Sequence, residues 1–251
     1  MWLNIDFSKY PLPKRLRHHT SPNVYLPAKE LKILPDYYPP LIEKINWQEV
    51  FGNGLGPNSL DIGCGKGAFL LEYAQNNPNE NILGIEVRKL PAEWLKNVIE
   101  GEQYANCGVL WYSAANGLPF IEDSSIEKVF YFFPDPWFKT KHKKRRLFSL
   151  EFINEIYRIL SKNGKLYLST DVEEVHLYQK SLLEQSNCFD IIDLKENYIL
   201  NESDDSFWKL PLTNKEKFCQ SKKIPIWRLI CKKRENAIVE ASKIEQVIES
   251  F

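Results

Sequence analysis

The stretch SLDIGCGKGAFLLEYAQNN, residues 59–77, decides the fold. A short apolar strand ends in glycine, further glycines follow at 65 and 67, and Phe69, Leu70, Tyr73 and Ala74 then share one helical face. The glycines let the backbone turn tightly and come close to a ligand. The turn lacks the GK[ST] ending of a phosphate loop. Taken alone it also fits a plain structural turn. Asp61 adds an acid just before it.

The same rhythm continues outward. NILGIEV (81–87), CGVLWY (107–112), EKVFYFF (127–133) and KLYLST (165–170) read as strands. Between and after them, PAEWLKNVIEGE, RRLFSLEFINEIYRILSKNG and EEVHLYQKSLLEQS read as helices. The first has Pro near its start, and the second has Phe148, Phe152, Ile153, Ile156 and Leu160 at helical spacing with Gly164 as its stop. FDIIDLKEN and IPIWRLICKK close the series as two more strands. Strands alternating with helices predict an α/β fold with a mostly parallel sheet covered on both faces. In such sheets ligands sit beyond the carboxyl ends of the strands, near the switch in strand order. Residues 1–57 read as an irregular arm rich in Pro and aromatics, with one short helix near PPLIEKINWQEVF. Residues 58–235 form the α/β domain, and 236–251 a tail with a weak helical stripe.

The chain of 251 residues is long enough for one good-sized core. Lys+Arg and Asp+Glu both number 33, so nucleic-acid binding would need local segregation of charge. The five cysteines show no CxxC pair and no histidine spacing that suggests zinc, so no metal is expected. Their odd number and scatter fit reduced thiols and a cytoplasmic location. The first residues lack the apolar run of a signal peptide, and no run approaches membrane-spanning length. The sequence leaves monomer and homodimer open.

Charge is segregated in VFYFFPDPWFKTKHKKRRL, residues 129–147. Two prolines stiffen the turn around Asp135, which holds its carboxylate in one place. Trp137 can wall a pocket or stack on a base. Lys139, Lys141, His142, Lys143, Lys144, Arg145 and Arg146 can neutralise phosphates. A solvated loop is the plainer reading, yet cations at a helix N-terminus oppose the helix dipole, which favours a functional reason. Glu86 ends the second strand, where a carboxylate can accept both hydroxyls of a ribose; with no phosphate-binding feature beside it, this favours S-adenosylmethionine (SAM) over NAD. Asp171 ends the fifth strand and fits a helix cap and an active-site role equally. His176 reads as a helix-surface residue. The arm contributes Arg15 and Arg17 within KRLRHHTSP, a basic segment of the kind that contacts phosphates or is plain surface.

Together these residues resemble the tRNA (guanine-N7-)-methyltransferase family. PDPWFKTKHKKRRL is similar to its most specific signature; LDIGCGKG, LGIEVR and STD match in order and spacing, and TNKE (213–216) matches a T-x-x-E segment. RLRHHTSP resembles an R-x-R-x-H-x-N-P segment, with Ser21 in place of Asn. The resemblance implies a Rossmann-like SAM-dependent methyltransferase fold with a seven-stranded, mostly parallel sheet. It implies SAM as methyl donor and N7 of guanine 46, in the tRNA variable loop, as acceptor. It assigns Asp61, Gly63, Gly65, Glu86 and the position of Ala114 to the cofactor, and Asp135 to a place between cofactor and base as the catalytic residue. It assigns Lys139, Asp171, Thr213 and Glu216 to the substrate. The family pattern has Asp or Asn near the adenine where Ala114 stands here, so Asn116 or a backbone group would have to replace that contact. The residues also fit a small-molecule SAM methyltransferase, or a non-catalytic tRNA-binding relative.

Overall fold

The computed structural model describes residues 5–14, 21–201, 208–235 and 237. In chain order the elements are β1 (Ser59–Ile62), α1 (Ala68–Asn76), β2 (Ile82–Glu86), α2 (Lys89–Gly101), β3 (Cys107–Trp111), β4 (Ile126–Phe132), α3 (Leu150–Ile159), β5 (Leu160–Thr170), α4 (Glu173–Ser186), β6 (Phe189–Tyr198), α5 (Asn214–Lys222) and β7 (Ile226–Lys233). The seven strands lie in the order β3-β2-β1-β4-β5-β7-β6. β1 to β5 pair in parallel, and β7 runs antiparallel between β5 and β6. β1 is flanked by β2 on one side and β4 on the other, so the strand order reverses there. This is where an open α/β sheet leaves a crevice.

The central strands are buried on both faces, and alternate residues serve different cores. Val129 and Tyr131 of β4 join Leu166 and Leu168 of β5 and Phe152, Ile153 and Ile156 of α3 in one core. Phe130, Phe132 and Tyr167 join Phe69 and Leu70 of α1 and Trp94, Leu95 and Val98 of α2 in the other. The run VFYFF is continuously apolar because each of its faces meets a helical layer.

Three expectations change. The helix expected to stop at Gly164 ends at Ile159, and Leu160 pairs with Ile126 as the first residue of β5. The register shifts before the Lys128–Lys165 pair, so β5 is irregular over 161–164. An apolar Leu160 at helical spacing fits either state, and pairing with β4 took it. Second, the basic run does not sit on the N-terminus of α3. It forms its own 3₁₀ helix, Thr140–Arg145, while Ser149 caps α3 by accepting from the Phe152 N–H at 3.2 Å. Third, His176 is buried rather than on the surface. It faces inward with Val175, Gln179 and Leu183, and its Nε2 bonds the Glu196 carboxylate of β6 at 2.8 Å.

The described part of the arm is mostly irregular, as its composition predicts. The expected helix near PPLIEKINWQEVF is a single 3₁₀ turn, Trp47–Glu49. The arm is nonetheless packed: Val24, Tyr38 and Phe51 are buried, and Phe51 belongs to the first core. The helix expected in the tail, and Arg15 and Arg17, lie outside the described residues.

Candidate functional site

A cleft of about 800 Å³ opens at the carboxyl ends of the parallel strands. It is lined by the glycine-rich turn, the ends of β2, β3, β4 and β5, the start of α5, and Val24 and Tyr25 from the arm. The topology therefore gathers residues nearly two hundred positions apart.

On the β1–β2 side the turn is built for close approach. Gly63 has φ +85°, and a Cβ added there would meet nothing within 4 Å, so its absence keeps the cleft open. Gly67, at φ +72°, caps α1, and a Cβ there would strike Leu95 at 2.4 Å. Gly65 donates its N–H to Glu86 Oε2 at 2.9 Å. Glu86 is buried and also binds Arg88, through the backbone N–H at 2.9 Å, Nε at 2.8 Å and Nη2 at 3.0 Å. Burial opposes the charge on Arg88, but the bonds from Glu86 outweigh it and hold the guanidinium above its ordinary range. Asp61 is buried beside them. Burial first, and then the charge of Glu86, push its carboxyl up to about 8, so it is protonated over most of the neutral range. The Cys64 thiol is held far above its usual value by burial and by Asp61 and Glu86, which leaves it inert as a nucleophile.

At the end of β3, Ala114 lines the cleft, as expected. Its neighbours serve the arm. Ser113 Oγ donates to Val24 O at 2.8 Å. Asn116 Oδ1 accepts from Ala28 N–H at 2.7 Å, and its Nδ2 donates to the Tyr38 hydroxyl at 3.0 Å. Asn116 thus ties down the arm instead of replacing the missing acid or amide at Ala114.

The loop after β4 carries local strain. Phe133 and Trp137 have φ of +48° and +45°, and bracket Pro134, Asp135 and Pro136. Two such residues cost of order 1–3 kcal/mol each and persist only where the surroundings hold them. The holds are visible. Phe133 N–H donates to Ser169 O at 2.7 Å, and Arg146 Nε donates to Pro136 O at 2.9 Å. The Arg146 side chain is nearly covered, paired with Glu174 at 2.6 Å and set over the Tyr178 ring. It therefore braces the loop, whereas Lys139 and Lys144 are exposed and Lys143 is half-buried. Arg145 lies over the Trp137 ring, 5.2 Å from its centroid. Asp135 lines the cleft and hydrogen-bonds the Tyr25 phenol; burial and that carboxylate raise the phenol well above its ordinary range. Tyr25 also meets Trp137 edge-on at 5.0 Å.

On the β5 side, Asp171 Oδ2 pairs with Lys215 Nζ at 2.6 Å. It is not the cap of α4; Val172 holds that position, and Thr170 Oγ1 accepts its N–H at 3.2 Å. Thr213 and Glu216 form a reciprocal capping box on α5, with Thr213 N–H to Glu216 Oε2 at 2.8 Å and Glu216 N–H to Thr213 Oγ1 at 3.0 Å. Thr213 lines the cleft. Glu216 does not: it is fully buried and accepts from Arg228 Nε at 3.1 Å and Nη2 at 2.8 Å.

The cleft thus unites Asp61, Gly63, Gly65, Glu86, Ala114, Asp135, Arg145, Asp171 and Thr213, and leaves Glu216 and Arg146 as supports. Sequence reasoning missed Tyr25, Arg88, Lys215 and Phe218, which also line it. Arg88 lies inside LGIEVR and Lys215 inside TNKE, so both were within reach of the motifs. Nothing in the arm's irregular sequence marked Tyr25.

Among the described residues no helix is long and apolar enough to cross a membrane, and no group of three or more His, Cys, Asp or Glu could hold a metal ion. The fold is the Rossmann-like fold of SAM-dependent methyltransferases. Two similar solved structures are an antibiotic-related methyltransferase (TM-score 0.53, 18% identity, covering 79% of this chain and 98% of that one) and the 16S rRNA methyltransferase KamB (TM-score 0.50, 14% identity, covering 70% and 87%). In sequence, the chain is 34% identical over 132 residues to the tRNA (guanine-N(7)-)-methyltransferase of Streptococcus pneumoniae strain 70585, and equally so to that of strain Taiwan19F-14. Those matches cover 53% of this chain and 62% of each relative, so the chain spans less than two thirds of their length. A family model described as "Putative methyltransferase" matches residues 56–229, which takes in β1 to β6, the first half of β7 and every cleft residue outside the arm. The chain belongs to that methyltransferase family, and over about half its length it is homologous to the tRNA (guanine-N7)-methyltransferases.

Proposed function

We propose that the protein transfers a methyl group from SAM to N7 of guanine 46 in tRNA. The observation that carries this reading is the placement of Asp135: a carboxylate on a braced, strained loop at the strand-order switch, followed at once by a cationic 3₁₀ helix. The names of the relatives support the same substrate.

The residues present fit the cofactor. Gly63 leaves open space where a side chain would intrude, and Asp61 and Glu86 supply carboxyl groups for a hydroxyl-bearing, cationic nucleoside. When bound, SAM supplies an electrophilic methyl group on a sulfonium. Glu86 can accept ribose hydroxyls once Arg88 yields part of its hold. Asp135 and Asp171 stabilise the positive charge that grows on the guanine and accept hydrogen bonds from its N1–H and 2-amino group. N7 carries a lone pair at neutral pH, so no general base is required, and the protein mainly supplies position; alignment of this kind can lower a barrier by roughly 7–11 kcal/mol.

Incubation with labelled SAM and unmodified tRNA, followed by nucleoside analysis, tests the reading. 7-Methylguanosine at position 46 is the expected product; transfer to another atom, or to none, overturns it. One observation favours a second reading, a tRNA-binding relative with weakened cofactor affinity: Ala114 offers the adenine no side-chain partner, and Asn116 is committed to the arm. Calorimetry with SAM separates the two, since absence of binding selects the second.

Two further results are expected. A bound cation favours the ionised form of Asp61, so SAM binding releases a proton. Affinity therefore rises with pH up to about 8, by at most roughly tenfold per unit, and levels off above. Asp61→Asn removes this rise, which calorimetry across pH 6–9 reads out directly. Charge reversal at Lys144 and Arg145 weakens tRNA binding and flattens its salt dependence; the slope falls by about 0.7–0.9 for each phosphate no longer neutralised. Unchanged binding would make that run mere surface.

A further inference from the structure

Two phenylalanines stand out among the residues of the cleft. Phe138 is 60% exposed and Phe218 is 49% exposed; the other large apolar side chains left exposed among the described residues lie elsewhere on the surface. Neither ring has a polar atom that water would satisfy. Both belong to the β4–β5 side of the cleft. Phe138 lies three residues beyond Asp135 on the loop after β4. Phe218 lies on α5 beside Lys215, whose Nζ is 5.4 Å from its ring centroid and 2.6 Å from Asp171 Oδ2. Phe138 thus shares a loop with Asp135, and Phe218 shares a helix with the lysine bound to Asp171, the two carboxylates assigned to the base.

The charge around them narrows the choice of partner. Lys139 and Lys144 are exposed on the segment that carries Phe138, Arg145 is there too, and Lys215 adjoins Phe218. Protein–protein interface cores are depleted in lysine. Exposed aromatic faces set among lysines and arginines are instead the composition of surfaces that bind unpaired RNA: bases stack on the rings while the cations follow the phosphates. We propose that Phe138 and Phe218 are stacking platforms for unpaired nucleobases adjacent to the base held at Asp135 and Asp171. The protein would then grip its RNA where the loop is unstacked, and would use base faces as well as phosphate charge. The inference rests on the reading of tRNA as substrate for its biological setting, but its contacts need only unpaired RNA.

The test measures binding of two RNAs by fluorescence anisotropy, unmodified tRNA and labelled octauridylate, with SAM calorimetry on every variant. Phe138→Ala and Phe218→Ala each weaken binding of both RNAs by roughly 5- to 150-fold. Phe138→Leu and Phe218→Leu, which keep apolar bulk without a flat face, recover little of the loss; Phe138→Trp and Phe218→Trp bind as tightly as the parent. SAM affinity is unchanged throughout. Alanine variants that bind both RNAs normally overturn the proposal, as does parallel loss of SAM affinity, which would mark the rings as packing elements. If the parent protein makes 7-methylguanosine while RNA binding ignores both rings, this inference falls and the functional reading stands. If RNA binding needs the rings but no 7-methylguanosine forms, the functional reading falls and this inference stands.

Discussion

On the proposed function, Asp135→Ala lowers the rate of methyl transfer to tRNA by at least about 10²–10³-fold, the loss typical when one preorganised electrostatic partner of a transition state is removed. Melting temperature should fall by only a few degrees, because Asp135 sits half-buried on a loop and belongs to neither of those hydrophobic cores, so the stability lost is chiefly its bond to the Tyr25 phenol. The size of the effect comes from the mounting. Two prolines, two residues at positive φ, the Phe133–Ser169 bond and the Arg146 brace fix the loop before substrate arrives, so no reorganisation is needed as charge develops. Asp135→Asn keeps volume and a hydrogen-bond acceptor but removes the charge, and should fall between the two. Single-turnover rates at saturating SAM check both variants. Near-parent rates in the alanine variant would remove Asp135 from the chemistry.

Glu216→Ala produces the largest loss of stability. Glu216 and Arg228 are 0% and 3% exposed, 2.8 Å apart, with the guanidinium also 4.4 Å above the Trp208 ring. Removing one partner of such a buried ion pair costs about 3–5 kcal/mol. For a chain of this size that lowers the melting temperature by roughly 6–20 °C. The same change removes half of the capping box that starts α5, the helix that carries Lys215 and Phe218 into the cleft. Thr213→Ala loses only a cap, about 1 kcal/mol. Calorimetric unfolding of both variants decides the matter. A stable Glu216→Ala variant that fails to bind tRNA would return Glu216 to the direct substrate role that the resemblance implies.

Glu216 also shows where local pattern and tertiary role part. T-x-x-E before a helix is a capping box in its own right. Read as a substrate motif, it hid a helix; read as a cap, it would have announced α5. The helix face of α3 misled in the same way, because Leu160 keeps the spacing of Phe152, Ile153 and Ile156 although the chain has already turned into β5. His176 looked superficial because α4 carries charged and polar residues on most sides; β6 and β7 make its face an inner one. Arg146 was indistinguishable from its cationic neighbours until the fold packed it against Pro136 and Tyr178.

The sequence by itself determined the alternation of strands and helices, the glycine turn after β1, the acids at the strand ends and the PDPW loop. Each of these rests on local chemistry: periodicity, backbone freedom at glycine, φ fixed by proline. Only the tertiary structure decided the strand order that sets Asp61 and Asp135 on either side of one crevice, and the packing of the arm that carries Tyr25 to Asp135. It alone sorted the ionisable groups into those that face the cleft and those that hold it. Burial, which sets the cost of a charge and so its role, is a property of the neighbours a residue acquires, and those neighbours come from distant parts of the chain.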